Sequence, residues 1–170
     1  YIVVVSSTVS ALINLVISLF VVLIFMIVNG VEFRPIILLF PFVIIELYLF
    51  SLGVALLLST LFVRFRDIGH IWDVIMQAWF YATPIIYPLT QLINVGWLSI
   101  AKLVLMLNPI AQIIQDARYL VVTAQTETIW GLVGQRCWLF KLVPLLIVTV
   151  VLLIGTIIFR RRSPYFAEEL

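Results

Sequence analysis

Long apolar runs separated by short polar breaks dominate the pattern along the chain. Residues 3–28 contain no charged side chain, and about 20 apolar residues in a helix are enough to cross a ~30 Å hydrocarbon core. A second apolar run covers residues 35–63, and a third, residues 138–159, is followed directly by arginines. Each of these three runs predicts a membrane-spanning helix.

A shorter apolar run, residues 70–87, is predicted to form a further span at the lower limit of length. Pro84 and Pro88 limit its end, because proline lacks a main-chain donor and restricts the residue before it. Residues 89–135 alternate polar residues with apolar pieces too short to span. Residues 92–122 are therefore predicted to be a re-entrant hairpin, which is tolerated at membrane depth only where its backbone is buried in protein or wetted.

Helix boundaries within this pattern have local signals. Asn29 and Gly30 are expected to end the first span, and Pro35 suits the first turn of the next. In the hairpin, Asn108 is a candidate N-cap followed by Pro109 at the first helical position. The helix after it is predicted to bury one apolar face, formed by Ile110, Ile113, Ile114, Ala117 and Val121.

The composition is that of an integral membrane protein. Hydrophobic residues make up 65% of the chain and charged residues 11%, with a mean hydropathy of +1.27, whereas soluble domains contain about 25% charged residues. A net charge of +2 with mostly isolated cations gives no reason to expect nucleic acid as a partner. The single cysteine, Cys137, cannot form an internal disulfide. The predicted fold class is thus an all-α polytopic membrane protein with four transmembrane helices and one re-entrant helical hairpin.

Polar residues inside apolar runs are the first candidates for function. Ser6, Ser10, Asn14 and Ser18 recur every fourth position, so they share one helix face that is expected to meet protein or water. Glu46 lies about 16 Å into the second span, where a carboxylate is a functional candidate by default; its alternative role is that of a protonated or hydrogen-bonded packing residue. Gly53, in the same span, suggests a close helix neighbour.

The charged stretch "VRFRDIGH" must lie outside the hydrocarbon core, because arginine or aspartate at its centre costs ~2.5–3.5 kcal/mol. Arg64, Arg66 and Asp67 are therefore placed in a loop between spans. His70 has no second histidine, cysteine or carboxylate at ligand spacing, so neither a metal site nor a catalytic site is predicted. The chain has no Walker-type glycine loop, and ATP binding by that route is not expected.

Aromatic residues follow helical spacing along residues 70–87. Trp72, Trp79, Phe80 and Tyr87 are candidates for lining a conduit, because sugar rings present apolar C–H faces that pack on flat aromatic rings. The alternative is that they are interfacial anchors or ordinary packing residues.

Several motifs in order resemble a known family. They are "FRDI", "FYATPIIYP", "LNP", Arg118 and a terminal "FRRRSPYFAEEL", and together they resemble the permease subunits of type-2 ATP-binding-cassette exporters of polysaccharides such as O-antigen, capsule or teichoic acid. The resemblance implies a six-helix permease of which these are the last four spans, with the start at Tyr1 expected to be a cut through a longer protein. It further implies that Arg64, Arg66 and Asp67 face the cytoplasm near the ATPase, and that the hairpin is a gate at the outer face.

The function expected from this resemblance is ATP-driven export of lipid-linked polysaccharide across the cytoplasmic membrane of a bacterium. The expected partners are an ATP-binding subunit, which hydrolyses the ATP, a second permease copy, the lipid-linked glycan and membrane lipid. The chain itself is expected to be a transport subunit without enzymatic activity or cofactor. Two alternatives remain open: export of a drug or peptide, and a membrane-embedded glycan-modifying enzyme, which would need clustered acidic or histidine side chains at one membrane face.

Overall fold

The computed structural model describes residues 2–31, 34–65, 67–85, 87–123, 125–132 and 141–163. Within these ranges the regular secondary structure is entirely helical, which confirms the predicted all-α class. The helices, in chain order, are α1 (Ile2–Val28), a short 3₁₀ helix (Pro35–Leu39), α2 (Phe40–Arg64), α3 (Ile68–Ala82), α4 (Leu89–Asn94), α5 (Leu98–Leu107), α6 (Pro109–Val121), α7 (Ile129–Leu132) and α8 (Val143–Arg162).

In the described residues, three helical segments are long and apolar enough to cross a membrane: α1, Pro35–Val63 and α8. The pair α5–α6 would count as a fourth if it formed one bent span. The chain is therefore a multi-pass membrane protein.

Helix α1 contacts the rest of the described structure mainly through α2. It ends at Val28, and Gly30 follows with a φ of +68°, as the Asn-Gly signal predicted. Its stripe of Ser6, Ser10, Asn14 and Ser18 is exposed on the surface of the chain. The hydroxyls of Ser10 and Ser18 donate to main-chain carbonyls four residues earlier.

Helices α2 and α8 form the most extensive helix pair in the described structure, and two glycines set their separation. A Cβ on Gly53 would lie 2.8 Å from the main chain of Leu152, and one on Gly155 would lie 2.5 Å from the carbonyl oxygen of Gly53. The predicted close neighbour of Gly53 is thus confirmed. Small residues at such crossings let helix backbones approach each other in a membrane.

Helix α3 is shorter than the apolar run that predicted it. It begins at Ile68 and ends at Ala82, after 15 residues, and Thr83 is already extended. Pro84 explains the end, since it disfavours helical geometry at the preceding residue. The prediction that this helix extends to residue 87 is therefore wrong. With 15 residues at 1.5 Å each, α3 is only about 22 Å long.

The predicted hairpin region folds as three linked helices, α4, α5 and α6. The axes of α5 and α6 differ by 102° at Asn108, whose side chain accepts a hydrogen bond from the main-chain amide of Ala111 at 3.2 Å. The predicted N-cap is therefore confirmed. These helices and α7 enclose a core of their own, formed by Leu89, Ala101, Leu105, Ala111 and Ile129.

The predicted apolar face of α6 is only partly correct. Of its five residues only Ile113 is fully buried, whereas Ala111, Gln112 and Gln115 are buried outside it. Because α6 packs against α2, α5 and α8, it is covered on more than one side, and a single apolar stripe does not describe its contacts.

Candidate functional site

A cavity of about 780 Å³ opens where α6 and α7 meet the beginning of α2. We call it the acidic cavity, because two carboxylates line it together with amide, hydroxyl and aromatic side chains. The residues that give it this character are Asp116, Tyr119, Gln125, Glu127, Thr128 and Trp130. Phe42 and other apolar side chains of α2 form its opposite wall. This combination of apolar walls with a few polar groups is typical of small-molecule sites.

Asp116 connects the acidic cavity to the interior of the helix bundle. It accepts a hydrogen bond from the Nε2 of Gln112, at 3.1 Å, and it is close enough to Glu46 for the two carboxylates to interact electrostatically. The Oε1 of Glu46 and the Oε1 of Gln112 are buried and have no hydrogen-bond partner among the described residues. Glu46 therefore faces protein and belongs to a polar cluster, although it does not line the cavity itself.

A second, smaller cavity of about 270 Å³ lies beside the first. We call it the amide cavity; the segment Gln125–Glu127 lines both cavities. Gln115 lines the amide cavity, is only 2% exposed, and has an Nε2 without a partner in the described structure. A buried amide donor without a partner costs about 1–3 kcal/mol, so the burial of this nitrogen lowers the stability of the folded chain.

Two arginines beside these cavities are bound to the main chain, and one of them, Arg118, also lines the amide cavity. Arg34 donates to the carbonyl of Tyr119, and its guanidinium lies 5.2 Å from the centre of that ring. Arg118 donates to the carbonyls of Pro84 at 3.0 Å and Ile85 at 2.7 Å. These hydrogen bonds therefore link α6 to the residue that precedes the 3₁₀ helix and to the turn after α3.

The predicted aromatic stripe is divided between different environments. Trp79 packs edge-on against Phe50, with ring centres 6.2 Å apart. Its indole nitrogen donates to the Oδ1 of Asn108 at 3.0 Å, and Asn108 donates to the hydroxyl of Thr83 at 2.9 Å. Trp79 thus links α3 to the bend between α5 and α6.

The other stripe residues lie in different surroundings, and of these only Phe80 is more exposed than Trp79. Trp72 is partly buried on α3, and Phe80 is 44% exposed. Tyr87 lies beyond the end of α3, in the turn that follows it, and its hydroxyl donates to the carbonyl of Tyr81 at 3.4 Å. Since α3 ends at Ala82, these side chains do not form one continuous helix face.

The residues predicted to face the ATPase surround the junction of α2 and α3. Arg64 is the last residue of α2, and Asp67 is exposed immediately before α3. Arg66 lies outside the described residues, as does Cys137. His70 is exposed on α3. Among the described residues no group of three metal-ligating side chains occurs.

Sequence reasoning missed the polar groups of α6 and of the segment after it. Gln112, Gln115 and Asp116 occur at spacings of three and four, which place them on one side of a helix. That spacing could have predicted a polar face on α6. No local pattern indicated that Glu46, seventy positions earlier, would lie beside Asp116.

Comparison with known proteins gives the family. Residues 1–122 match the ABC-2 type transporter family. This chain belongs to the ABC-2 type transporter family. A curated relative, the O-antigen export system permease protein RfbA of Myxococcus xanthus, is 36% identical over 75 residues.

That stretch covers 44% of this chain and 28% of the relative, so the match spans less than a third of the relative's length. No solved structure is significantly similar to this chain.

Proposed function

We propose that this chain is the membrane-spanning permease of an ATP-driven exporter that moves lipid-linked polysaccharide out across the cytoplasmic membrane of a bacterium. The match of residues 1–122 to the ABC-2 type transporter family is the observation that carries the proposal. The similarity to an O-antigen export permease supports a glycan as the cargo.

In this proposal the energy for export comes from a separate ATP-binding subunit, as membership of the ABC-2 type transporter family suggests. Arg64, Arg66 and Asp67 are placed at the cytoplasmic face, near that subunit. A second permease copy completes the transport path. Trp72, Phe80 and Tyr87 are proposed to contact the glycan, whereas Trp79, which is partly buried and lines a cavity between α3 and α5, is proposed to support the path by holding α3 against the hairpin.

The polar cavities are compatible with a hydrophilic cargo. A glycan has many hydroxyl groups that must keep hydrogen bonds while it leaves water, since an unsatisfied polar group is costly in an apolar medium. The acidic cavity offers carboxylate, amide and hydroxyl partners beside aromatic rings. These groups can hydrogen-bond sugar hydroxyls, and the apolar part of the lining can pack against the C–H faces of a sugar.

The test is deletion of the gene in its host, followed by analysis of lipid-linked glycans on each side of the cytoplasmic membrane. Loss of the permease should cause lipid-linked polysaccharide to accumulate inside, and re-expression of the full-length protein should restore its display outside. The purified permease should show no ATPase activity alone and should copurify with an ATP-binding subunit.

Two results would overturn the proposal. Unchanged glycan distribution together with loss of drug or peptide export would assign a different cargo. A glycan that reaches the surface but lacks a modification would instead indicate a glycan-modifying enzyme.

A further inference from the structure

The acidic cavity and the amide cavity lie at one end of a membrane-spanning segment. Leu39 and Phe42 line the acidic cavity and belong to the first residues of the span Pro35–Val63. The ends of a span meet the boundary between hydrocarbon and water, where tryptophan and tyrosine are enriched. Trp130 and Tyr119 line the same cavity. This places the two cavities at the depth of the lipid headgroups.

The apolar wall of the acidic cavity continues onto the outer surface of the chain. Leu39 is 51% exposed and Phe42 is 68% exposed, so each side chain faces the surroundings of the helix as well as the cavity. In a membrane those surroundings are lipid tails. A ligand with its polar end in the cavity can therefore extend an apolar tail along the 3₁₀ helix and α2 without leaving the bilayer. The opening suits an amphiphile.

Three cationic side chains surround the two cavities. Arg118 lines the amide cavity, the guanidinium of Arg34 lies over the Tyr119 ring, and the ammonium of Lys141 lies over the Trp130 ring. Each donates to one or two main-chain carbonyls and, in the described part of the chain, forms no ion pair. A guanidinium has five N–H donors and an ammonium three. Donors therefore remain for an anionic ligand.

The amide cavity has a lining that suits a phosphate group. Its volume is about 270 Å³, and Arg118 lines it together with the side chains of Thr90, Thr123, Gln125 and Thr126. Hydroxyl and amide groups donate hydrogen bonds, and arginine is the residue that binds phosphate oxygens most effectively. One guanidinium beside three hydroxyls and an amide offers a phosphate diester both charge and donors.

Two carboxylates disfavour a ligand that carries negative charge alone. Glu127 lines both cavities and Asp116 lines the acidic cavity, and neither pairs with a cation among the described residues. A phosphate that carries an ammonium group on a short link relieves this repulsion, because opposite charges attract across the partly desolvated site. Arg118 and Glu127 line the same small cavity, so one zwitterionic headgroup can contact both.

We propose that the two cavities form a binding site for a phospholipid whose headgroup carries a primary ammonium, as phosphatidylethanolamine does. Arg118 and the neighbouring threonines bind the phosphate, Glu127 binds the ammonium, and Leu39 and Phe42 contact the start of an acyl chain. The lipid thereby connects α2 to the loop between α6 and α7. This inference requires a membrane protein and is independent of the proposed cargo.

Native mass spectrometry of the full-length permease in detergent measures lipid binding. The probes are phosphatidylethanolamine, phosphatidylglycerol, phosphatidylcholine and diacylglycerol with identical acyl chains. Phosphatidylethanolamine should bind at least about threefold more tightly than phosphatidylglycerol, which has no ammonium, and than phosphatidylcholine, whose ammonium has no N–H donor. Diacylglycerol lacks the phosphate and should bind most weakly.

Glu127→Gln tests the ammonium contact. The change removes one negative charge at nearly constant size, so the preference for phosphatidylethanolamine over phosphatidylglycerol should disappear while both lipids still bind. Asp73→Asn is the matched control, because it removes the same charge from an exposed position on α3 that lines neither cavity. It should keep the preference of the unaltered protein.

Thr126→Val tests the phosphate contact. The change removes a hydroxyl that lines both cavities and keeps the shape of the side chain, so binding of all three phospholipids should weaken by about threefold, as expected for one hydrogen bond. Diacylglycerol binding should stay the same. Thr149→Val makes the same change at an exposed position on α8, outside both cavities, and should leave all binding unchanged.

Equal binding of phosphatidylethanolamine and phosphatidylglycerol by the unaltered protein would overturn the inference. A preference that survives Glu127→Gln, or phospholipid binding unchanged in Thr126→Val, would do the same. Displacement of phosphatidylethanolamine by an equal concentration of lipid-linked glycan from cells that lack the permease would assign the site to the cargo instead. The export test is separate: an absent lipid preference leaves the export proposal intact, and an unchanged glycan distribution after gene deletion leaves the lipid site intact.

Discussion

At the scale of single residues, the polar cluster of Glu46, Gln112 and Asp116 lowers the stability of the folded protein. Glu46 keeps a buried oxygen without a partner and lies near a second carboxylate, Asp116. Both features disfavour the folded state. An arrangement that costs stability is more readily explained by function than by packing, as is common for ionisable groups within membranes.

Replacement of Glu46 by leucine should therefore raise stability and lower export. Removing a buried oxygen that has no partner is expected to stabilise the protein by about 1–3 kcal/mol. Thermal unfolding and export rate per folded transporter measure the two effects, with Glu46→Gln as the variant that retains polarity and size. If Glu46→Leu is more stable and exports normally, Glu46 has no role in transport.

The aromatic residues of α3 give a second prediction at this scale, because the structure separates two neighbours. Trp79 is held by Phe50 and Asn108, whereas Phe80 is 44% exposed. Trp79 is only partly buried, so Trp79→Ala should destabilise the protein by less than the ~3–5 kcal/mol found for a tryptophan in a closed core. Trp79→Leu should recover part of this stability, and Trp79→Phe, which keeps the flat ring but loses the N–H donor, should recover more.

In all three Trp79 variants, total export should fall only in proportion to the amount of folded protein, so the export rate per folded transporter should stay unchanged. Phe80→Leu should give the opposite result, with near-normal stability and slower export, if the exposed ring contacts the glycan. The measurement is export rate per folded transporter. If Trp79→Phe exports at the normal rate per folded transporter and Trp79→Leu does not, the ring of Trp79 also contacts the cargo.

At the scale of helices, the closest approach in the described structure is the crossing of α2 and α8. Gly155 faces the main chain of Gly53, and Gly53 faces that of Leu152, at distances that leave no space for a side chain. A methyl group there would have to displace a helix, since the obstructing atoms belong to the backbone. The crossing therefore fixes how the second and last membrane-spanning helices are held together.

Gly155→Ala should separate these helices and destabilise the protein by at least ~1–3 kcal/mol, the typical cost of overpacking. Gly131→Ala is the matched control, because Gly131 is also helical and a Cβ there meets nothing within 4 Å. The readout is the midpoint of thermal unfolding in detergent. Equal unfolding midpoints for the two variants would contradict the close packing of α2 against α8 at Gly155.

At the scale of the whole molecule, two sets of hydrogen bonds join the end of α3 and the turn after it to the hairpin. One comes from Arg118 on α6 and the other from Asn108 at the bend. Arg118 binds the carbonyls of Pro84 and Ile85, and Asn108 binds Trp79 and Thr83. Helix α3 and the hairpin are thus fastened as one unit. In the proposed exporter, movement of α3 at the cytoplasmic side would be transmitted to the hairpin at the outer side.

The orientation in the membrane follows as a prediction for the whole chain. With Cys137 replaced by serine, a cysteine at Ile68 should react with a membrane-impermeant maleimide only when the cytoplasmic face is accessible. A cysteine at Asn94, which is exposed on α4, should react from outside intact cells. Labelling of Ile68→Cys from outside alone would reverse the topology.

The sequence by itself determined the class of the protein and most of its helix ends. Apolar runs of sufficient length dictate membrane-spanning helices because hydrocarbon offers no partners for the backbone. Gly30, Pro84 and Asn108 act locally, through their own φ angle, ring or side chain, so their effects are predictable without knowledge of the fold.

Only the tertiary structure decided which distant residues meet. Three contacts join residues that are far apart in the chain: Glu46 lies close enough to Asp116 to interact with it electrostatically, Gly155 packs on Gly53, and Arg118 donates to the carbonyls of Pro84 and Ile85. Periodicity assigns a side chain to a face of its own helix but leaves open which neighbour covers that face. The polar cavities depend on that choice, because their walls come from several elements: the 3₁₀ helix, α2, α4, α6, α7 and the loop between α6 and α7.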